Sequence, residues 1–155
     1  MNKKASPFSS EKAGDSTGFL LWQVTTLWQR RIAAALRPLG LTQVQYALLA
    51  SLLWLSRTES SITQAMLARH GKLDVMMTSQ VLRALQAKGL LRRKPHPTDA
   101  RARVLTLTVK GGSLTRSAVP VVEKADSVFF SALAGRRGKF NESLSALISP
   151  DPSSK

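Results

Sequence analysis

Four side chains that recur at i, i+3, i+4 and i+7 form the most informative polar pattern in the sequence: Met76, Ser79, Gln80 and Arg83. In an α-helix this spacing places all four on one face. Arginine and glutamine carry forked polar groups that bond two atoms of a base edge at once. The stripe therefore predicts contact with nucleic-acid bases, and the alternative is an ordinary solvated helix face.

A second group of candidate binding residues lies in and beside the turn-rich segment 95–102: Lys94, Asp99, Arg101 and Arg103. Cationic side chains of this kind bind phosphate groups. The Asp99–Arg101 pair is alternatively a salt bridge of a hairpin, which contributes little when it is exposed. His96 belongs to the same segment, where partial protonation would add affinity for phosphate.

The residue types needed for catalysis or metal binding are scarce. Cysteine is absent, His70 and His96 are the only histidines, and the chain has 9 acidic residues. Two histidines in separate elements do not supply a zinc ligand set, and no Ser–His–acid or paired-carboxylate arrangement emerges. The sequence therefore predicts neither an enzyme nor a metal or other cofactor. A chain without cysteine forms no disulfide bonds, which is typical of a cytoplasmic protein.

The charge balance indicates a polyanionic partner. The chain has 23 Lys and Arg against 9 Asp and Glu, which gives a formal net charge of +14. Ten of these cations and two of the acids fall in residues 61–110, so this third of the chain carries +8. Nucleic acids and membrane surfaces are the usual partners of such proteins. The longest apolar stretch, residues 46–55, is shorter than the ~20 residues of a membrane span. Together with the helix-turn-helix pattern described below, this leads us to expect double-stranded DNA as the partner and no membrane.

Capping and turn signals predict two short helices that present the polar stripe. Thr63 is a good N-cap for a helix over residues 64–70, and Gly71 is expected to supply the left-handed residue at its end. Asp74 caps a second helix that extends to residue 88 and carries the stripe. Two helices joined by a short turn that contains glycine form the helix-turn-helix pattern.

The flanking segments complete this unit. Residues 90–94 and 103–108 are predicted to form the strands of a β-hairpin that follows the helix-turn-helix as a wing. Thr42 and Gln45 form the capping-box pattern of a core helix that precedes it. The predicted fold class is mainly α-helical with a small β-hairpin wing, in other words a winged helix-turn-helix.

The terminal helices carry more apolar surface than one winged-helix core can bury, which favours a dimer. The last long helix is expected over residues 109–134, although its Gly111–Gly112 pair weakens the first turn. The chain is thus predicted to form one domain with these parts: a mobile arm (1–16), dimerisation helices (17–38 and 109–148), a winged helix-turn-helix (42–108) and a tail (149–155).

Three stretches closely resemble the multiple-antibiotic-resistance regulator (MarR) family of winged-helix repressors. They are LGLTQVQYALL, ITQAMLARHGKLDVMMTSQVLRALQAKGLLRR and PTDARARVLTLTVKG, and the resemblance extends over about residues 20–133. The wing is its most specific part, because Asp99-Ala100-Arg101 fits the family's D-x-R motif and L-x-L-T follows at 105–108. The chain departs from the family at Met76 and Met77, where small hydroxyl residues are more usual.

The resemblance implies a homodimer built from the first and the last two helices of each chain. It places the helix with the polar stripe in a major groove and the wing at a neighbouring minor groove. Asp99 would orient Arg101, and Arg101 would enter the minor groove. The protein would then be a sequence-specific repressor that binds a pseudo-palindromic operator. The alternative is a sequence-tolerant, nucleoid-type architectural DNA-binding protein.

The resemblance also suggests a small aromatic, anionic ligand between the dimerisation helices and the winged-helix unit. Aromatic rings would stack on such a ligand and arginine would pair with its carboxylate. The candidate residues are Trp22, Trp28, Arg30, Arg31 and Tyr46. The alternative is that these aromatic side chains are packed in the core and at the dimer interface.

Overall fold

The computed structural model describes residues 12–148. The elements in that range, in chain order, are α1 (Thr17–Leu36), α2 (Gln43–Leu55), α3 (Gln64–Gly71), α4 (Val75–Ala87), β1 (Leu91–Pro95), β2 (Arg103–Leu107), α5 (Val109–Phe129) and α6 (Arg137–Ile148). The predicted arm lies outside the described residues up to position 11, and Ala13–Asp15 form a short 3-10 turn. The predicted tail 149–155 lies outside the described residues as well.

Five of the helices begin at a side-chain cap that the local sequence specifies. Thr42 Oγ1 accepts a hydrogen bond from the Gln45 amide, and Gln45 Oε1 accepts one from the Thr42 amide, both at 3.2 Å. Single caps open the other four helices, with acceptors on Ser16, Thr63, Asp74 and Thr108. Each cap satisfies an amide that has no partner inside its helix. The predicted helix starts at residues 42, 63, 74 and 108 are confirmed.

The end of α3 differs from the prediction by one residue. Lys72, and not Gly71, adopts the left-handed conformation, with φ of 51° and ψ of 39°. The Leu73 amide then donates to the Ala68 carbonyl at 2.9 Å, which is the 6→1 hydrogen bond of a Schellman motif. Leu73 is half-buried against the core. Burial of Leu73 fixes the register of the turn, and the left-handed residue is the one directly before it.

The two strands form the predicted antiparallel hairpin, with Leu91 opposite Leu107 and Arg93 opposite Leu105. A third segment joins β2, because the Leu105 amide donates to the Ile62 carbonyl at 2.8 Å. An isolated bridge pairs Thr63 with Val104, so this segment extends the hairpin at the free edge of β2. Val104 is buried as well as Leu105, whereas the alternation of the sequence places only Leu105 and Leu107 inside.

The core joins α1 to α5 and the hairpin around a set of leucine and isoleucine side chains. The most completely buried of these are Ile32, Leu36, Leu48, Leu49, Leu52, Leu67, Leu82, Leu85, Leu91 and Leu105. On α4 the inward stripe is Thr78, Leu82 and Leu85. The opposite face of α4 is therefore turned away from the core.

Helix α5 ends at Phe129, five residues before the predicted end. The chain continues as a 3-10 turn, Phe130–Arg136, in which Ala134 has φ of 46° and ψ of −131°. The ring centroid of Phe130 lies 5.0 Å from that of Phe129 and 6.1 Å from that of Phe140 on α6. This aromatic cluster stabilises the turn through contacts that helical periodicity does not reveal.

Within residues 12–148, no single helix has the length and apolarity needed to cross a membrane. Only Thr17–Leu39 and Gln43–Leu55 taken together, bent by 77°, reach that length and composition.

Candidate nucleic-acid interface

The predicted stripe lies on the exposed face of α4. Met76 is 74% exposed, Gln80 and Arg83 are exposed, and Ser79 is half-buried. Thr78 on the other face is fully buried, and its hydroxyl donates to the Asp74 carbonyl at 2.7 Å. Because one face is anchored in the core, α4 presents the stripe as a rigid surface.

Arg83 lies along this surface and is held only loosely. Its Nε donates to the Ser79 carbonyl at 3.4 Å and its Nη2 to the Ser79 hydroxyl at 3.5 Å. Both distances are at the long end of the hydrogen-bond range, so the guanidinium can exchange these partners for stronger acceptors. The carbonyl edge of a guanine or a phosphate oxygen is such an acceptor.

At the tip of the wing, Asp99 acts on the backbone of Arg101. The Arg101 amide donates to Asp99 Oδ1 at 2.9 Å, and the Ala102 amide donates to the Asp99 carbonyl at 3.1 Å. These bonds fix the chain direction at Arg101, whose side chain is exposed. The arrangement agrees with the orienting role that the resemblance implies for Asp99, and it operates through the peptide and not through a salt bridge.

Lys94 and Arg103 are exposed near the ends of the two strands. They join Arg101 in a cationic surface that begins beside α4 and extends to the tip of the hairpin. Asp99 is the acidic residue of this hairpin. Met76, Ser79, Gln80, Arg83 and these wing residues therefore belong to two neighbouring elements, as predicted.

A groove of about 580 Å³ at the base of the wing contains the predicted Lys94 and adds three cationic candidates that the sequence did not single out. The cationic residues that line it are Arg92, Arg93, Lys94 and Lys110. The Nε and Nη2 atoms of Arg93 are buried and have no hydrogen-bond partner among the described residues. A buried N–H group without an acceptor is costly, which favours an anion near this guanidinium.

Two cations that contribute to the basic segment are engaged in the fold. Lys88 Nζ donates to the Gly40 carbonyl at 3.0 Å and to Gln45 Oε1 at 3.1 Å. Lys110 Nζ donates to the Lys88 carbonyl at 3.1 Å. These ammonium groups connect the end of α4 to α2 and α5, so a count of charges overestimates the cations that are free for phosphate.

Four of the five residues predicted to bind an aromatic ligand lie on α1 and Tyr46 lies on α2, and both Trp28 and Tyr46 interact with Asp126 of α5. Trp22 is 64% exposed and stacks on Phe19, with ring centroids 6.0 Å apart. Trp28 Nε1 donates to Asp126 Oδ1 at 2.7 Å, and the Arg31 guanidinium lies 6.0 Å from the ring centroid of Phe129. Arg30 is exposed on α1. Packing and hydrogen bonds within the chain therefore occupy Trp28 and Arg31.

Tyr46 is the one of the five that lines a cavity of about 460 Å³ between α2 and α5. Burial, followed by the charges of Glu123 and Asp126, raises the pKa of the Tyr46 phenol above its ordinary value. The phenol therefore remains protonated at neutral pH and can donate a hydrogen bond into the cavity.

Two further residues of this cavity were missed at the level of the sequence. Trp54 is 62% exposed, and the Arg57 guanidinium lies over its ring at 4.8 Å from the centroid. This distance is that of a cation–π contact. The sequence feature that could have indicated Trp54 is the presence of apolar residues on nearly every face of α2. A helix of this kind leaves some apolar side chains outside a small core.

Within residues 12–148, no three His, Asp or Glu side chains are grouped so that they could hold a metal ion.

A helical core that carries a helix-turn-helix followed by a cationic β-hairpin defines a winged-helix DNA-binding protein. The model of the MarR family matches residues 41–102. The HTH-type transcriptional regulator YdcH of Bacillus subtilis (strain 168) is 41% identical over 133 residues, which cover 86% of this chain and 90% of YdcH. The HTH-type transcriptional repressor Rv2887 of Mycobacterium tuberculosis (strain ATCC 25618 / H37Rv) is 31% identical over 131 residues, with coverages of 84% and 91%.

Solved structures show the same fold. CouR from Rhodococcus jostii RHA1, bound to p-coumaroyl-CoA, superposes with a TM-score of 0.79 at 24% identity and covers 92% of this chain and 98% of its own. A cysteine-to-serine mutant of MarR from E. coli complexed with operator DNA gives a TM-score of 0.74 at 25% identity, with coverages of 86% and 93%. The Rv2887 complex with DNA gives 0.65 at 31% identity, with coverages of 86% and 98%.

The chain belongs to the MarR family of DNA-binding transcriptional regulators. Members of this family regulate transcription and are not enzymes.

Proposed function

We propose that this protein is a sequence-specific repressor that binds a pseudo-palindromic operator as a homodimer. The observation that carries this proposal is the exposed, non-acidic stripe of α4 beside a wing whose Asp99 fixes the backbone at Arg101. The relatives support it, since Rv2887 is named a repressor and has been solved with DNA, and MarR from E. coli has been solved with operator DNA.

In the proposed complex, α4 enters the major groove and each wing contacts the adjacent minor groove. Gln80 and Arg83 would bond base edges, with Met76 and Ser79 beside them. Arg101 would enter the minor groove. Lys94 and Arg103 would bind phosphates along the wing.

Selection of bound duplexes from a fragmented genomic library, followed by footprinting, tests this proposal against the architectural alternative. A sequence-specific repressor enriches a small set of fragments and protects one short footprint with internal two-fold symmetry. An architectural protein enriches no common sequence, and its affinity hardly varies between fragments. The second result would exclude the proposed function.

The proposed homodimer rests on apolar side chains that the described chain leaves uncovered. They lie at the start of α1 and the end of α6: Phe19, Leu20, Leu21, Trp22, Val24, Leu27, Leu147 and Ile148. Large apolar side chains exposed in this number are unusual for a soluble monomer and are typical of an interface. A two-fold dimer would also present its two α4 helices to half-sites ~34–36 Å apart.

Sedimentation at micromolar concentration is therefore expected to give twice the chain mass of 16.9 kDa. Leu27, which is 55% exposed, lies in this surface, so Leu27→Asp should shift the protein toward monomer without loss of the fold. Val109→Ser is the matched control, because Val109 is 90% exposed at the start of α5 and should leave the dimer intact. A stable wild-type monomer would contradict the proposal.

An aromatic carboxylate or phenol is the ligand class that fits the cavity between α2 and α5. Trp54 offers a ring for stacking, Arg57 a cation for a carboxylate, and Tyr46 a protonated hydroxyl. Such a ligand would release DNA only if it prefers a dimer whose α4 helices are wrongly spaced, because equal affinity for both states shifts nothing. Regulation by protein abundance alone is the alternative.

Titration with salicylate should quench tryptophan fluorescence and release the selected duplex in parallel. Arg57→Ala is expected to weaken both effects by roughly tenfold, as for the loss of one charge-assisted hydrogen bond. Arg37→Ala, an exposed change after α1, should behave like the wild type. Quenching without release would reveal a pocket that is not a switch, and the absence of both at millimolar salicylate would exclude this ligand class.

A further inference from the structure

The turn at the tip of the wing is built around the ring of His96. Its Nδ1 accepts hydrogen bonds from two backbone amides, that of Thr98 at 3.3 Å and that of Asp99 at 3.2 Å. The Thr98 hydroxyl lies 3.4 Å from the same nitrogen. The His96 amide closes the turn by donating to the Ala102 carbonyl at 3.3 Å. A half-buried imidazole therefore organises the loop between β1 and β2.

These contacts define the protonation state of the ring. A backbone amide can only donate, so Nδ1 must be the unprotonated nitrogen and the proton must reside on Nε2. Addition of a second proton would convert Nδ1 into a donor that faces two donors. The turn as built is consequently compatible with neutral His96 only.

The His96 turn is coupled to Arg101 through Asp99. The amide of Asp99 is held by the imidazole, and its carboxylate holds the amide of Arg101 at 2.9 Å. The Asp99 carbonyl also accepts a bond from the Ala102 amide at 3.1 Å. The bond from the Asp99 amide to His96 fixes Asp99, and the bond from the Arg101 amide to the Asp99 carboxylate then fixes the backbone at Arg101. The direction of Arg101 therefore depends on the imidazole of His96.

We propose that His96 is a positioning residue of the wing: in its neutral form it holds the turn that directs Arg101 to DNA, and its protonation releases that turn. This inference rests on the proposed DNA contact of Arg101. It reverses the simplest expectation from the sequence, in which an imidazolium at the wing strengthens binding through its charge.

The charged groups around this turn are Lys94 on β1, Arg103 on β2, and Asp99 and Arg101 in the turn itself. Among the side-chain types present in the hairpin, only imidazole ordinarily changes its charge between about pH 5 and pH 8. A pH response of the wing that disappears when His96 is replaced is therefore assigned to this ring.

The tautomer can be measured without DNA. In the ¹⁵N-labelled protein at about pH 8, we expect the His96 Nδ1 resonance of an unprotonated acceptor nitrogen and the Nε2 resonance of a protonated one. The protection factors of the Thr98 and Asp99 amides, which correct for base-catalysed intrinsic exchange, should be higher at about pH 8 than in the protein whose ring is protonated. A protonated Nδ1 at about pH 8, or protection factors that do not change when the ring is protonated, would overturn the structural part of the inference.

The functional part is tested with a duplex selected from a randomised pool, at fixed salt. Wild-type affinity should fall roughly fivefold or more when acidification protonates the ring, a state that the ¹⁵N resonances report, because two backbone hydrogen bonds are then lost. His96→Asn supplies an oxygen acceptor that does not titrate, so it should bind like the wild type at pH 8 and lose the pH dependence. His96→Ala should be weak at both pH values, with thermal unfolding used to verify its fold.

His70→Gln is the matched control, because it removes the other histidine and should keep the wild-type pH response. Affinity that rises on acidification, or His96→Ala binding that equals the wild type at pH 8, would refute the positioning role. Arg101→Ala distinguishes failure of the proposed DNA contact from failure of the proposed structure of the His96 turn. If this variant binds like the wild type, the proposed contact of the wing is wrong, whereas the tautomer measurement still decides the structure of the turn.

Discussion

Gly111→Ala is expected to lower the free energy of unfolding by roughly 3 kcal/mol, at the upper end of the range for overpacking a core. A Cβ at this position would lie 1.8 Å from the Leu90 carbonyl oxygen and 2.7 Å from its carbonyl carbon. Both atoms belong to the backbone, so no side-chain rotation relieves the clash. Either α5 or the segment between α4 and β1 has to move.

The contact between the start of α5 and the segment after α4 also explains why Gly111→Ala would disturb the DNA-binding surface. The Thr108 amide donates to the Leu90 carbonyl at 3.1 Å, and the Thr108 hydroxyl donates to the Gly89 carbonyl at 2.7 Å. The first turn of α5 is thus bonded to the chain that connects α4 to the wing. Separation of the two would disturb the relative placement of the stripe and the hairpin.

Gly112→Ala is the matched control for this prediction. Its Cβ would meet only the end of the exposed Arg116 side chain, at 3.2 Å from Nη2, and that side chain can move. Alanine is the better helix former by about 1 kcal/mol, so this variant should be neutral or slightly more stable. Denaturant unfolding at a fixed protein concentration measures both variants. Equal free energies of unfolding for Gly111→Ala and Gly112→Ala would show that the close contact between Gly111 and the Leu90 backbone does not destabilise the alanine variant.

Arg101→Ala is expected to weaken binding to most duplexes by at least about tenfold and to flatten the dependence of affinity on salt. Each dimer would lose one cation in each wing, so the slope of log K against log salt should decrease by roughly 1 to 2. The bonds of Asp99 to the backbone would persist, which separates loss of the guanidinium from loss of the turn.

Arg83→Ala provides the contrast, because its loss should affect sequence preference more than total affinity. We expect discrimination at particular base pairs to fall by ~1–3 kcal/mol. Arg136→Ala removes the same charge from an exposed turn between α5 and α6 and should change neither quantity. Titrations of the selected duplex and of single-base variants across a salt series measure all three proteins. An unchanged affinity and salt slope for Arg101→Ala would refute the wing contact.

Much of the DNA-binding unit follows from interactions within a few residues of each other. The caps at Thr42, Thr63, Asp74 and Thr108 join side chains to amides three positions away, so sequence spacing alone identifies them. The face of α4 follows from helical periodicity in the same way. The D-x-R pattern of the wing is also local, since Asp99 bonds the amide of Arg101.

The C-terminal ends of α3 and α5 were predicted less accurately than the helix starts, because side-chain packing determines where these helices end. The left-handed residue after α3 is Lys72 because burial of Leu73 sets the turn, and α5 ends at Phe129 because Phe130 packs on Phe140. The surroundings of the tryptophans were also not predictable from composition: Trp22 is exposed, Trp28 donates to Asp126, and Trp54 lines the cavity between α2 and α5.

The sequence by itself determined the class of protein, the starts of its helices, the polar stripe and the cationic wing, because each depends on spacing or on charge along the chain. Only the tertiary structure decided which cations are free, since Lys88 and Lys110 bond carbonyls far away in sequence. It also decided that Gly111 is a point of close approach and that His96 accepts hydrogen bonds. These properties depend on which atoms are in contact in the folded chain, and the spacing of residues along the chain does not predict such contacts.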